Sequence, residues 1–331
     1  MNRREGRRTR WLAVLLLLVL SPVCAEYIQA YDDSTGNPVA LLGALLVFVP
    51  LYGAPAVLIR ELARRFDVRW PGILALTTGF GILQAGVIDQ SMFDTGYRGI
   101  DYWDDMIMPT WIEPLGISVN ASLAFVLGHA IWSFGVPIAL SEAISGRYSR
   151  TPWLRWPGLS VLVVLYLAAA ALIMVGEDSG GASSGQLVGA LAVTAALALF
   201  AFTLGRRRRD RRDRRVPAPL LVFAVAAPVS FGFNMLGYSI SDTVIVVGLL
   251  VAVAAAVTYL SGSRAWTGRH VAALASGTLL GRVGIGFLTD PLGDVSAVAH
   301  AGHSVFFLLM ALGLWLLADR RSRATPATDV A

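Results

Sequence analysis

The apolar positions of this 331-residue chain gather into ten stretches, at residues 11–25, 39–59, 71–91, 119–144, 158–175, 187–204, 218–237, 242–260, 270–289 and 298–318. Short polar segments separate them. Each stretch comes near the roughly 20 residues an α-helix needs to cross the hydrocarbon of a bilayer. The pattern predicts an all-α fold: a polytopic transmembrane helical bundle of about ten spans, forming a single integral membrane domain over residues 1–331.

Composition agrees with that reading. The chain is 56% hydrophobic and 15% charged, with mean hydropathy +0.63, which excludes an ordinary soluble domain. Its 27 basic residues are all arginine. All but Arg98 and Arg282 fall in six segments: Arg3–Arg10, Arg60–Arg69, Arg147–Arg155, Arg206–Arg215, Arg264–Arg269 and Arg320–Arg323. These alternate with arginine-poor loops at 26–38, 92–118, 176–186, 238–241 and 290–297. The positive-inside bias then predicts both termini in the cytoplasm, including residues 1–10, the 205–217 loop and the 319–331 tail. A bacterial cytoplasmic membrane is the expected location, because an arginine-only basic set with abundant Ala, Val, Leu and Gly suggests a genome rich in G and C.

The net charge of +5 points to anionic lipid rather than nucleic acid, since the arginines flank apolar spans; the Arg206–Arg215 run is the strongest candidate lipid contact. Residues 11–25 also read as a secretory leader ending in Val23-Cys24-Ala25, so this stretch is either the first span or a signal anchor. The single Cys24 excludes an intrachain disulfide and a cysteine-based zinc site. Gly180–Gly185 reads as a flexible connector. The external 92–118 loop mixes Phe93, Tyr97, Tyr102, Trp103 and Trp111 with Asp94, Asp101, Asp104, Asp105 and Glu113. It reads as an aromatic belt or as a lid on the outer surface. Its acidic spacing does not fit a calcium loop.

Ionisable groups inside a span are costly unless they face protein or water, so each is a candidate site residue. Gln84, Asp89, Asn234, Arg282, His300 and His303 fall in the outer half, with His129 nearer the middle. They predict an outward-facing polar cavity formed by the third, seventh, ninth and tenth stretches. Arg282 keeps its proton and calls for an anionic partner, with Asp89 or Asp242 better placed than Asp290. Gly277 and Gly281 offer a small face for close helix contact. His300 and His303, at i and i+3, suit a hydrogen-bonded pair or a proton relay; no metal site is expected. Glu61 is placed to pair with Arg64 or Arg65.

Pro50, Gly53 and Pro55 interrupt the second stretch, while Pro228 and Gly232 interrupt the seventh. Corresponding breaks in two inverted halves of five spans are a pointer to a transporter, with the breaks as hinges. Binding or transport of a small polar or anionic solute is thus the leading expectation. Phe125-Val-Leu-Gly-His129 resembles the Phe-Xaa-Xaa-Xaa-His motif of the CPBP intramembrane proteases, related to CAAX-processing enzymes. That resemblance implies a water-activating histidine at His129, with His300 or His303 as a second; the family's paired glutamates are missing, so no catalytic residue is assigned.

More broadly, Ser21–Glu26, Leu51–Pro55, Leu58–Arg65 and Phe80–Gly86 resemble uncharacterised multi-pass membrane proteins of actinobacteria and other Gram-positive bacteria. A non-catalytic scaffold or sensor is the third reading. The chain holds no nucleotide-binding, zinc-helix or nucleophile-elbow motif, and no cofactor is expected.

Overall fold

A computed structural model describes residues 3–176, 181–208 and 210–324. Parts of the amino-terminus, the 176–186 loop with Gly180, the Arg206–Arg215 run and the 319–331 tail therefore lie outside the described residues. Ten helices follow the ten apolar stretches: α1 (Glu5–Tyr27), α2 (Pro38–Arg65), α3 (Trp70–Ile88), α4 (Val119–Tyr148), α5 (Trp156–Gly176), α6 (Ser184–Arg206), α7 (Pro219–Asn234), α8 (Ile240–Ser261), α9 (Gly268–Ile285) and α10 (Ala297–Ala324). Eight are long and apolar enough to cross a membrane. The exceptions are α7, which has 16 residues, and α9, whose hydropathy Arg269, His270 and Arg282 lower. The fold is an all-α polytopic bundle.

Local chemistry sets several helix starts. Asn37 accepts hydrogen bonds from Val39 and Ala40 at the head of α2, with Pro38 in the first turn. Reciprocal Ser183–Gln186 and Ser239–Asp242 caps open α6 and α8. Helix α1 is shared by two apolar clusters. Val14 and Leu17 pack with α2 to α5, while Leu20, Cys24 and Tyr27 pack with α4, α9 and α10. The segment that also read as a leader thus packs against both clusters.

The arginine segments meet at one end of the bundle. Arg10 lies over the Tyr148 ring, Arg69 N–H donates to Gly205 O, Arg212 pairs with Ser263, and Arg269 binds Asp319. Burial, and then the neighbouring Arg64 guanidinium, push Arg150 down to about 10. The arginine-poor loops meet at the opposite end: Leu292 N–H donates to Tyr31 O, and Gln186 donates to Leu115 O and Gly116 O.

A buried ionic network ties the arginine-rich end together. Arg60 and Glu61 are fully enclosed and pair at 2.6 Å. Glu142 accepts from Arg60 Nε at 3.1 Å and from both Nε and Nη2 of Arg64 at 2.6 and 2.5 Å. Remaining valences are met by backbone. Arg60 donates to Tyr148 O and Ser149 O, while Glu61 accepts from the Trp153 and Leu154 amides. Trp153 also covers the Arg60 guanidinium at 3.5 Å. Of the two pairs expected for Glu61, that with Arg65 forms; Arg64 turns to Glu142 instead, where a two-point contact is available.

Helices α7 and α9 are in close contact because α9 presents glycine. A Cβ at Gly281 would sit 2.4 Å from Ala227 O and 2.7 Å from Phe231 N, and one at Gly277 would sit 2.6 Å from Phe223 O. The expected breaks take a different form. Around Pro50–Pro55 the helix widens without interruption, and Pro228 is carried inside an unbroken α7, its missing N–H tolerated where neighbours approach closely. The irregularity in the second stretch is thus a π turn, and the seventh stretch runs on as a helix through Pro228.

Two stability differences follow. Glu142→Gln leaves Arg60 and Arg64 enclosed without their shared carboxylate, and unfolding in detergent should show a loss of about 3–5 kcal/mol. Gly281→Ala should cost about 1–3 kcal/mol by overpacking the α7–α9 contact. Gly248→Ala, at a position with open space around it, should be neutral in the same assay.

Candidate functional site

Four helices of the amino-terminal half contain widened π turns: Val23–Tyr27 in α1, Val49–Gly53 in α2, Gln84–Ile88 in α3 and Gly128–Gly135 in α4. In each, an N–H reaches back five residues: Ile28 to Val23, Ala54 to Val49, Asp89 to Gln84 and Val136 to Ile131. Such turns are rare and frequently mark functional sites. Proline lies beside three of them, at Pro22, Pro50 with Pro55, and Pro137. Lacking an N–H, proline leaves the carbonyl four residues earlier without its helical donor.

One of those carbonyls is met from a neighbouring helix. Pro137 deprives Ser133 O, which instead accepts from Ser21 Oγ at 2.5 Å; the same hydroxyl reaches Tyr52 O at 3.0 Å. One serine thus joins α1, α2 and α4. Pro22 likewise deprives Leu18 O, and Gly53 packs so closely there that an added Cβ would lie 2.2 Å from that oxygen.

The widened turns bring polar side chains together. Tyr31 donates a short hydrogen bond to Glu26 Oε2, and the Tyr52 hydroxyl faces the same carboxylate. The Glu26 charge and then burial hold the Tyr31 hydroxyl well above its usual range, which keeps it a donor. His129 stacks on Tyr52, with ring centres 5.7 Å apart, and its Nδ1 meets Ser133 Oγ at 3.2 Å. Gln84 reaches Asp89 at 3.4 Å, and Asp89 accepts from Ser91 N and Oγ.

Arg282 stands on the other flank. Its Nη2 donates to Gln29 Oε1 at 2.5 Å, its Nη1 makes a short bond to Asn234 Oδ1, and its carbon lies 4.5 Å from the Trp132 ring. The Asn234 amide nitrogen is committed to Ser230 O, so the oxygen faces the guanidinium. Arg282 Nε is buried with no hydrogen-bond partner, and among the described residues no ion pair forms with Arg282. The carboxylates expected to neutralise it are occupied elsewhere: Asp89 with Ser91, and Asp242 with the α8 cap.

Of the residues singled out in the sequence, Arg282 and Asn234 bond directly. His129 belongs to the Tyr52–Glu26 group. His300 Nε2 meets Gly286 O at 2.6 Å, while His303 Nε2 meets Tyr27 O at 2.8 Å and its Nδ1 accepts from Gly36 N–H. These histidines hold α10 against the ends of α9 and α1. Pro50, Gly53 and Pro55 border the α2 turn; Gly232 has open space around it. Glu26, Gln29, Tyr31 and Tyr52 were not foreseen.

The 92–118 loop folds back over this end. A short helix, Trp103–Ile107, buries Trp103, Met106 and Ile107 against Ala121 and Phe125 of α4, with Trp103 and Phe125 stacked at 5.7 Å. Strands β1 (Trp111–Ile112) and β2 (Ile117–Ser118) form a small hairpin. Asn120 then binds Thr243 of α8 at 2.8 Å.

A family model described as an uncharacterized membrane protein family matches residues 15–330, and the chain belongs to that family. No curated protein and no solved structure matches it.

Ser21→Ala removes the donor shared by two buried carbonyls and should lower thermal stability in detergent by about 1–3 kcal/mol. Ser21→Thr, which keeps the hydroxyl, should recover most of that loss; equal damage from both would assign the effect to packing.

Proposed function

We propose that this protein binds a small polar or anionic solute at the Arg282 cluster and carries it across the membrane. One observation carries the reading: a half-buried guanidinium has two amide oxygens, an aromatic face and a buried, unpartnered Nε, with no ion pair among the described residues. A guanidinium remains protonated, and charge taken out of water is stabilised by an opposite charge. A bound carboxylate, phosphate or similar group would supply it bidentately.

Under the positive-inside bias the arginine-rich end would face the cytoplasm, and the cluster, below the 92–118 loop, would be reached from outside. Gln84, Asp89 and His129 would line the flank opposite Asn234 and Arg282. His300 and His303 would hold α10 in register with the site. The α2 turn at Pro50, Gly53 and Pro55 is where the bundle would flex, and α7, packed on α9 beside Pro228 and Gly232, would move with α9 as one body.

The test is thermal stability of the purified protein against amino acids, organic anions and phosphates, with Arg282→Ala and Asn234→Leu in parallel. A ligand at about 100 times its dissociation constant adds roughly 2.7 kcal/mol. The expected result is stabilisation by one anionic class, abolished by Arg282→Ala and weakened by Asn234→Leu. No stabilisation by any anion, or a shift that persists in Arg282→Ala, would overturn the site.

A further inference from the structure

At the arginine-rich end, far along the sequence from the Arg282 group, a cavity of ≈ 510 Å³ opens between α1, the end of α4 and the end of α10. Its floor is apolar, built from Leu12 and Leu16 of α1 and Ile144 of α4. Its rim is basic, with Arg147 and Arg321 brought together from distant segments. Tyr148 stands between them and α1: Arg147 donates to its hydroxyl at 3.1 Å, and Arg10 lies over its ring at 5.8 Å.

The floor does not end inside the bundle. Leu12 is 54% exposed, and the neighbouring Trp11 and Leu15 are 49% and 53% exposed, so the apolar wall runs from the cavity onto the outer surface of α1. In a membrane protein that surface meets acyl chains. An occupant must therefore combine a long apolar part with a negative head, and a free anion would leave the apolar floor unused.

We propose that this cleft is a specific site for one anionic phospholipid, its phosphate against Arg147 and Arg321 and an acyl chain along Leu12 and Leu16. The site is separate from the Arg206–Arg215 run, and it stands whether or not Arg282 binds a solute.

The experiment is native mass spectrometry of the full chain, purified and exposed to phosphatidylglycerol, phosphatidylcholine, or inorganic phosphate with soluble glycerophosphoglycerol. One phosphatidylglycerol per chain should be retained, with little phosphatidylcholine. Each arginine near an anionic head contributes on the order of fivefold in affinity, so R147Q with R321Q should weaken retention by about 25-fold. R207Q with R208Q should not. Leu16→Trp, which fills the floor and leaves the rim charge intact, should displace the lipid and serves where the double variant does not fold. Equal retention of phosphatidylcholine, binding of the soluble anions alone, or retention unchanged by Leu16→Trp would each overturn the proposal.

Discussion

In hydrocarbon a carbonyl without a donor has no water to turn to, and much of this bundle's amino-terminal half is arranged around carbonyls that proline has stranded. Pro137 withdraws the helical donor from Ser133 O, and Pro22 withdraws it from Leu18 O. The first is met by Ser21 Oγ at 2.5 Å, while Gly53 of α2 packs closely against the second. Ser21 and Gly53 each come from another helix. A local defect in one helix is thus satisfied only when α1, α2 and α4 are already in register, which makes the defect a device for specifying packing. The same widened turns rotate Tyr52, Glu26 and His129 toward one another, so the polar group is a consequence of how the backbone is satisfied.

The two ends of the bundle treat buried charge in opposite ways. At the arginine-rich end, Arg60, Arg64, Glu61 and Glu142 neutralise and orient one another, and backbone groups of Tyr148, Ser149, Trp153 and Leu154 take up the remaining valences. Such saturation is the condition under which an enclosed ion pair is tolerable at all. It fastens α2 to α4 and to the loop leading into α5. At the other end Arg282 is held by neutral oxygens and one indole face. A network closed by ion pairs is a joint; Arg282, bonded to neutral oxygens with no direct ion pair among the described residues, is not closed in that way.

The division between what could be read in the chain and what could not follows from the range of each interaction. Apolar runs and arginine segments act through the surrounding bilayer, which is uniform, so the ten helices and the gathering of arginines at one end were legible residue by residue. Arg282, Asn234 and His129 were legible as anomalies in apolar context. Their partners were not. Gln29 and Tyr31 sit in a stretch that reads as an external loop, and only the extension of α1 by a π turn to Tyr27 brings them to Arg282 and Glu26. Asp89 looked like a counter-ion because distance across a bundle cannot be counted along a helix. Ser21-Pro22 beside Pro137 was the available signal, since a hydroxyl next to one proline can satisfy a carbonyl stranded by another.

The site lies where two differently built parts meet. Helices α1 to α4 carry all four π turns found among the described residues, whereas α7 and α9 are unbroken and locked backbone to backbone at Gly277 and Gly281. Arg282 and Asn234 both belong to the locked pair, so their mutual bond is indifferent to movement between the parts. Gln29 belongs to the widened side. A displacement of one part against the other would strain both Arg282–Gln29 and the Arg282–Trp132 contact while leaving Arg282–Asn234 in place. Gln29 of the widened side and Asn234 of the locked side thus hold one guanidinium from two parts of the bundle, with Trp132 of α4 over its face.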